Sequence, residues 1–215
     1  MEEIVIIGAG GFGREVLWTI NDCNKNEEKY SVLGFVDDDQ KIQDSIIDGC
    51  RVLGGLEWIE NNYKKSISCV IAIGDTNKKK EIEKKLKKIE PSYATIIHPS
   101  VISSKTIDIG KGTIIQAGVI LTINISIGEH VHINIDSTVG HDSIIENFVT
   151  INPGVHINGK TIIRNSAYIG TGAVMKQGIE IGKESVIGAG SVILQNIPEK
   201  SLYVGVPAKL KRKFS

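Results

Sequence analysis

Aromatic side chains are scarce, at 5% of 215 residues. A core of this size without large rings has to be filled by aliphatic side chains. Cysteine is scarce too. Cys23, Cys50 and Cys69 lack metal-binding spacing and leave one thiol over, which argues against a disulfide framework and sets the expectation of a reducing, cytoplasmic setting. Near the start the longest apolar run is Ile4–Ile7, too short for a signal-peptide core and far too short to insert in a membrane. Neither sign of charge prevails: 25 basic and 25 acidic residues cancel, so bulk charge gives no reason to expect nucleic acid or an anionic membrane as partner. With 41% hydrophobic and 23% charged residues the composition does not fit a mostly disordered chain. What the chain does have is glycine, 23 in all.

The aliphatics and glycines repeat every six residues. Steps of six from Ile97 reach Ser103, Ile109, Ile115, Leu121 and onward to Ile193, and sixteen of these 17 positions are aliphatic, without an insertion. The next residue is often Gly, as at Gly110, Gly128, Gly140, Gly170, Gly182 and Gly188. Four residues after each aliphatic stands a small or branched residue such as Val119, Ser137 or Thr161. A period of six fits neither a helix nor a long alternating strand; it fits a parallel β-helix of hexapeptide repeats. Each hexad is expected to supply one short strand and one corner, with Gly permitting the tight backbone there. The pattern resembles the left-handed β-helix of hexapeptide-repeat acyltransferases, in which three hexads make one coil.

The first 95 residues read differently. Glu2–Ile7, Ser31–Val36, Ser68–Ile73 and Tyr93–Ile97 read as strands; Arg14–Asn21, Leu56–Tyr63 and Asn77–Ile89 read as helices. That alternation predicts a small parallel sheet. The lysines Lys78, Lys79, Lys80, Lys84, Lys85, Lys87 and Lys88 are expected on the wet face of the last helix. Gly8-Ala9-Gly10-Gly11-Phe12-Gly13 matches the dinucleotide fingerprint between a strand and a helix. A full dinucleotide fold needs two mononucleotide halves and only about one is present, so a site for one nucleotide diphosphate matches better than NAD. A tight turn without ligand is the plain alternative. Asp37 and Asp38 are either polar strand-end residues or acceptors for a base or sugar at the sheet's carboxyl edge, which Gly74 also lines.

Five histidines are candidates for acid–base chemistry. His98 precedes Pro99 and reads as structural; His130 and His132 read as solvent-facing or packed at a subunit contact; His156 is an outside candidate. His141 follows Gly140 at a corner and precedes Asp142. A carboxylate in reach of an imidazole orients it and raises its basicity.

The half-nucleotide domain, the Phe35-Val36-Asp37-Asp38 edge, the Gly140-His141-Asp142 corner and the tail Val204-Gly205-Val206-Pro207-Ala208-Lys209 together resemble the PglD/NeuD-type bacterial sugar acetyltransferases. The resemblance implies an α/β half-Rossmann domain (1–95), a left-handed parallel β-helix (96–197) and a C-terminal tail (198–215). It implies a cytoplasmic homotrimer that acetylates the 4-amino group of a UDP- or dTDP-linked 4-amino-4,6-dideoxy sugar for surface-glycan synthesis. Acetyl-CoA is then the co-substrate, with no metal and no NAD. His141 would be the general base and Asp142 would raise its basicity. Gly10, Gly11 and Phe12 would lie at the sugar nucleotide's phosphates, Asp37 and Asp38 at its base or ribose with Gly74 beside them, and Thr150, Thr171 and Ala189 at acetyl-CoA. Well-studied members carry Glu in place of Asp142, a second His in place of Thr150 and often His in place of Phe12. An O-acetyltransferase acting on a sugar hydroxyl, as of a sialic acid, is the rival reading. The basic tail Lys209, Lys211, Arg212 and Lys213 is either a frayed terminus or a contact for CoA phosphates.

Overall fold

The computed structural model describes residues 1–25 and 27–214. It divides into two compact units, the first Met1–Pro99 and the second beginning at Ser100. In the first unit β1 (Glu2–Ile7), α1 (Gly11–Asn24) and β2 (Tyr30–Val36) are followed by the hairpin β3 (Ile46–Ile47) and β4 (Cys50–Arg51). Then come α2 (Leu56–Asn62), β5 (Ile67–Ile71), α3 (Thr76–Leu86) and β6 (Ser92–Tyr93). The parallel sheet has the order β2-β1-β5-β6. Its central strands are buried on both faces, so Ile4, Val5, Ile6 and Ile7 run apolar without alternation.

Beyond shifts of one to three residues at element ends, as where β5 stops at Ile71 and α3 at Leu86, three details differ from the sequence reading. Helix α1 starts at Gly11 rather than Arg14, so Gly11, Phe12 and Gly13 form its first turn. The expected strand Tyr93–Ile97 is two short pieces, Ser92–Tyr93 and Ile96–Ile97. Lys79 is not on the wet face but 0% exposed. Its spacing to Ile82 and Leu86 puts it on the buried stripe of α3, and burial pushes its ammonium far below the ordinary lysine value.

The second unit is a parallel β-helix. Each two- or three-residue strand pairs with the strand 18 residues on, as Ile115↔Ile133 and Ile133↔Ile151 do. Three sheets thus enclose one aliphatic interior, in which Ile133, Val139, Ile145, Ile151 and Ile157 are at most 1% exposed. Ser103, the polar exception, is exposed in the first strand of its sheet. Polar groups are tied into the stack: the buried Asn134 donates to the Ile151 carbonyl (2.8 Å) and the half-buried Asn152 to that of Ile169 (2.7 Å). The last coil arrives two residues early, with Ile181 bridged to Ile197 and Ile187 paired with Tyr203. The basic tail is not frayed. Lys209–Lys213 pairs antiparallel with Ser201–Val204, which itself extends the sheet through Val186 and Ile187.

The corners correct the reading of the glycines. Left-handed backbone recurs every sixth residue, two places beyond the glycine row: Gly118 (φ 74°), Asn124 (52°), His130 (54°), Asp136 (55°) and Asp142 (58°) are successive instances. Gly110, Gly128, Gly140, Gly170, Gly182 and Gly188 have no such φ. They are glycine because coils approach closely there. A Cβ at Gly140 would lie 2.5 Å from the Gly159 nitrogen, and one at Gly170 2.6 Å from that of Ala189. Among the described residues no helix is long and apolar enough to cross a membrane.

Candidate active site

At the carboxyl edge of the sheet, β1 is followed by Gly8 (φ 105°), a conformation that favours glycine. Gly13, in the first turn of α1, packs on the Gly8 carbonyl so closely that no side chain fits between helix and strand. Gly10 and Gly11 differ: a Cβ at either meets nothing within 4 Å, and the same holds for Gly74. Packing within the unit therefore gives no reason for glycine at these three places. Gly10 caps α1 without any side-chain hydrogen bond, so the helix opens with backbone N–H groups facing exposed glycines.

Beside this turn lies a cleft of about 290 Å³. Gly8, Asp37 and Asp38 line one side, and Lys78, Glu81 and Lys85 of α3 line the other. The α3 residues were missed in the sequence because a lysine-rich helix face reads as solvated. Gly10, Gly11, Phe12 and Gly74 are not in this lining; Gly11 borders a shallower depression with Arg14 and Asp48, which pair at 2.7 Å. Both aspartates have structural partners. Asp37 accepts from the N–H groups of Ala9 (2.9 Å) and Asp39 (3.0 Å). Asp38 accepts from the Leu56 N–H at the start of α2 (2.9 Å).

In the β-helix, His141 and Asp142 occupy the corner after Gly140. Neighbours in an extended strand point to opposite faces, but the left-handed turn at Asp142 folds its carboxylate back. His141 Nδ1 and Asp142 Oδ2 are 2.8 Å apart, with both side chains 44% exposed. An ionised carboxylate only accepts, so Nδ1 is the nitrogen that donates to it. The His141 hydrogen bond, and then the Asn124 amide at 3.3 Å from Oδ1, hold the Asp142 carboxyl below its usual value. The arrangement orients the ring and leaves Nε2 as the nitrogen that Asp142 does not engage.

The other histidines are placed otherwise. His98 meets Asp22 at 3.0 Å and stands beside the Trp18 ring. His130 and His132 are buried, not solvent-facing; the His130 ring stacks on Phe148 at 5.2 Å. His156 is exposed and 3.0 Å from the Thr138 hydroxyl. Of the acetyl-CoA candidates, Thr171 and Ala189 are exposed and stand one coil apart. Thr150 is 1% exposed, its backbone paired with His132 and Tyr168; a buried hydroxyl does not present itself to a ligand of this chain.

A family model described as the PglD N-terminal domain matches residues 3–86, and one for the bacterial transferase hexapeptide (six repeats) matches residues 160–195. Among curated proteins none matches the sequence. Solved structures do. The acetyltransferase domain of PglB from Neisseria gonorrhoeae FA1090, in complex with acetyl coenzyme A, is 28% identical over 98% of this chain and 99% of its own, with a TM-score of 0.89. PerB from Caulobacter crescentus, in complex with CoA and GDP-perosamine, is 28% identical over 98% of this chain and 97% of its own, TM-score 0.87. WeeI from Acinetobacter baumannii AYE is 31% identical over 97% of this chain and 99% of its own, TM-score 0.86. Likeness on that scale runs through both units, and the chain belongs to the PglD/NeuD-type bacterial sugar acetyltransferases of the hexapeptide-repeat class.

Proposed function

We propose that the protein transfers an acetyl group from acetyl-CoA to the 4-amino group of a nucleotide-linked 4-amino-4,6-dideoxy sugar. The observation that carries this reading is the His141–Asp142 pair, a base held at 2.8 Å by its carboxylate on an exposed coil corner. The acceptor nitrogen attacks the thioester carbonyl while Nε2 of His141 takes its proton. Backbone N–H groups at a coil corner stabilise the oxyanion of the tetrahedral intermediate. The intermediate collapses to amide and CoA thiol. Asp142 keeps Nδ1 protonated and stabilises the imidazolium as it forms.

The acceptor's nucleotide lies at the sheet edge of the first unit. Open space above Gly10, Gly11 and Gly74 suits close approach by phosphate oxygens to backbone N–H groups. Phe12, half-buried, contributes backbone rather than a charged contact. Asp38 is the better ribose or base partner, since Asp37 already accepts at both oxygens. Lys78 and Lys85 add positive charge to the same cleft. A UDP- or dTDP-sugar fits this reading, and the GDP-sugar bound by PerB widens it to guanosine. Thr171 and Ala189 offer exposed coil backbone to acetyl-CoA. The working unit is a cytoplasmic homotrimer that supplies surface-glycan synthesis.

The test is direct. Purified protein with acetyl-CoA and UDP-, dTDP- or GDP-linked 4-amino sugars should release free thiol and yield a product heavier by one acetyl group, with the 4-amine blocked. Thiol release with a hydroxyl acceptor such as a sialic acid, and none with an amine, would replace this reading by O-acetylation.

A further inference from the structure

We propose that Gly159 is a positioning residue: the missing side chain there sets the attitude of the His141 ring. The inference rests on the general-base reading above. Gly159 stands one coil beyond His141, in the register that pairs Val139 with Ile157. A Cβ built on Gly159 would fall 2.6 Å from Nε2, 2.7 Å from Cε1 and 2.8 Å from Cδ2 of His141. Near-equal distances to three ring atoms put that point over the face of the imidazole. Were it ahead of Nε2 in the ring plane, the two carbons would be clearly farther than the nitrogen. The ring therefore lies flat on the glycine, and the Nε2 lone pair, which is in the ring plane, emerges clear of it.

Nothing in the backbone asks for glycine here. Gly159 lacks a left-handed φ, unlike Gly112 (φ 70°), the glycine that faces His130. In every other hexad from Lys111 to Ala189 the equivalent place carries a side chain. Gly159 cannot retreat either, because the Gly140 backbone packs against its nitrogen. Two restraints then hold the base. Asp142 fixes which way the ring turns in its own plane, and Gly159 fixes its tilt. A methyl at 159 needs about 3.5–4.0 Å to the ring atoms, so the imidazole must lift by roughly 1 Å and its bond to Asp142 must bend or break. Displacement of a reacting group by roughly 1 Å costs on the order of 10²-fold in rate.

The experiment is a double-mutant cycle on the full-length protein. Gly159→Ala should lower kcat about 100-fold with little change in KM for acetyl-CoA or the amino sugar. In a His141→Ala background the same substitution should change neither the residual rate nor the thermal midpoint. A long-range nitrogen–proton spectrum of the imidazoles should show His141 protonated at Nδ1 in the wild type and lose that preference in Gly159→Ala. An equal proportional loss in both backgrounds, or an unchanged ring spectrum, would overturn the inference. If Gly159→Ala does not fold, folding of the double variant supports it and failure of both overturns it. A wild type without turnover sinks the acetyltransferase reading alone; the spectrum and the stability cycle still decide the role of Gly159.

Discussion

A carboxylate partner on an exposed corner separates His141 from the other histidines; His98 also meets a carboxylate but is buried. As the base, His141→Ala should cut turnover by roughly 10²–10⁴ while both ligands still bind. Isothermal titration beside steady-state kinetics checks both halves of that statement. His156→Ala should leave turnover close to wild type, and a dead His156 variant would move the site to the neighbouring sheet. His130→Ala should instead cost about 1–3 kcal/mol of stability, because it empties a packed place against Phe148; chemical denaturation reads this. The Asp142 carboxyl, held down by His141 and Asn124, is a folded-state value lowered below the unfolded one. Its contribution is present above the unfolded value and is lost as pH falls through the folded one. Asp142 thus stays ionised through mild acid. On the alkaline side of the ordinary histidine range, where the base is neutral in either protein, wild type should stay clearly faster than Asp142→Asn. A ratio near unity there would mean Asp142 is not the partner that orients the ring.

Glycine does different work in different elements, and substitutions separate the kinds. Gly13→Ala forces α1 off the Gly8 carbonyl and should lower the thermal midpoint sharply. A Cβ at Gly11 meets nothing within 4 Å, so Gly11→Val should fold normally but bind the nucleotide sugar more weakly, with acetyl-CoA affinity unchanged. Equal loss of both ligands would break the two-site layout. In α3 the buried Lys79 has its folded-state value pushed down by desolvation. Its contribution is complete only above the ordinary lysine value and declines as pH falls through the folded one. Stability should therefore climb with pH on the alkaline side, and Lys79→Met should flatten that climb in urea titrations at several pH values.

For the whole molecule, the coils leave apolar rows uncovered in the single chain. Ile102 and Ile120 pair directly and are both exposed, as is Ile144 on the next sheet. A row of this kind is covered in the proposed trimer, so light scattering should give three times the chain mass; a monomer at working concentration would contradict it. The Lys209–Lys213 strand exposes all five of its residues while its backbone closes the last sheet. Replacing Lys209, Lys211 and Arg212 by Ser keeps the hairpin. If these cations meet CoA phosphates, KM for acetyl-CoA should rise at low salt and the effect should fade at high salt.

The hexapeptide period was legible because inward positions repeat every sixth residue and a misplaced side chain there would break the stack. The strand–turn–helix opening was legible because glycine at Gly8 and Gly13 answers local geometry. Adjacency in the chain already marked His141 and Asp142 as a pair. Long-range packing decided the rest. It put Lys79 inside, because helical phase relative to β5 outranks the preference of one charged side chain. It turned the basic tail into a strand, because an open last sheet offers unpaired N–H and C=O groups. It moved the left-handed corners two places from the glycine row, because that row answers to the distance between coils, which no local reading contains. By the same rule the ring of His141 meets Gly159 only after the chain has gone once round the coil.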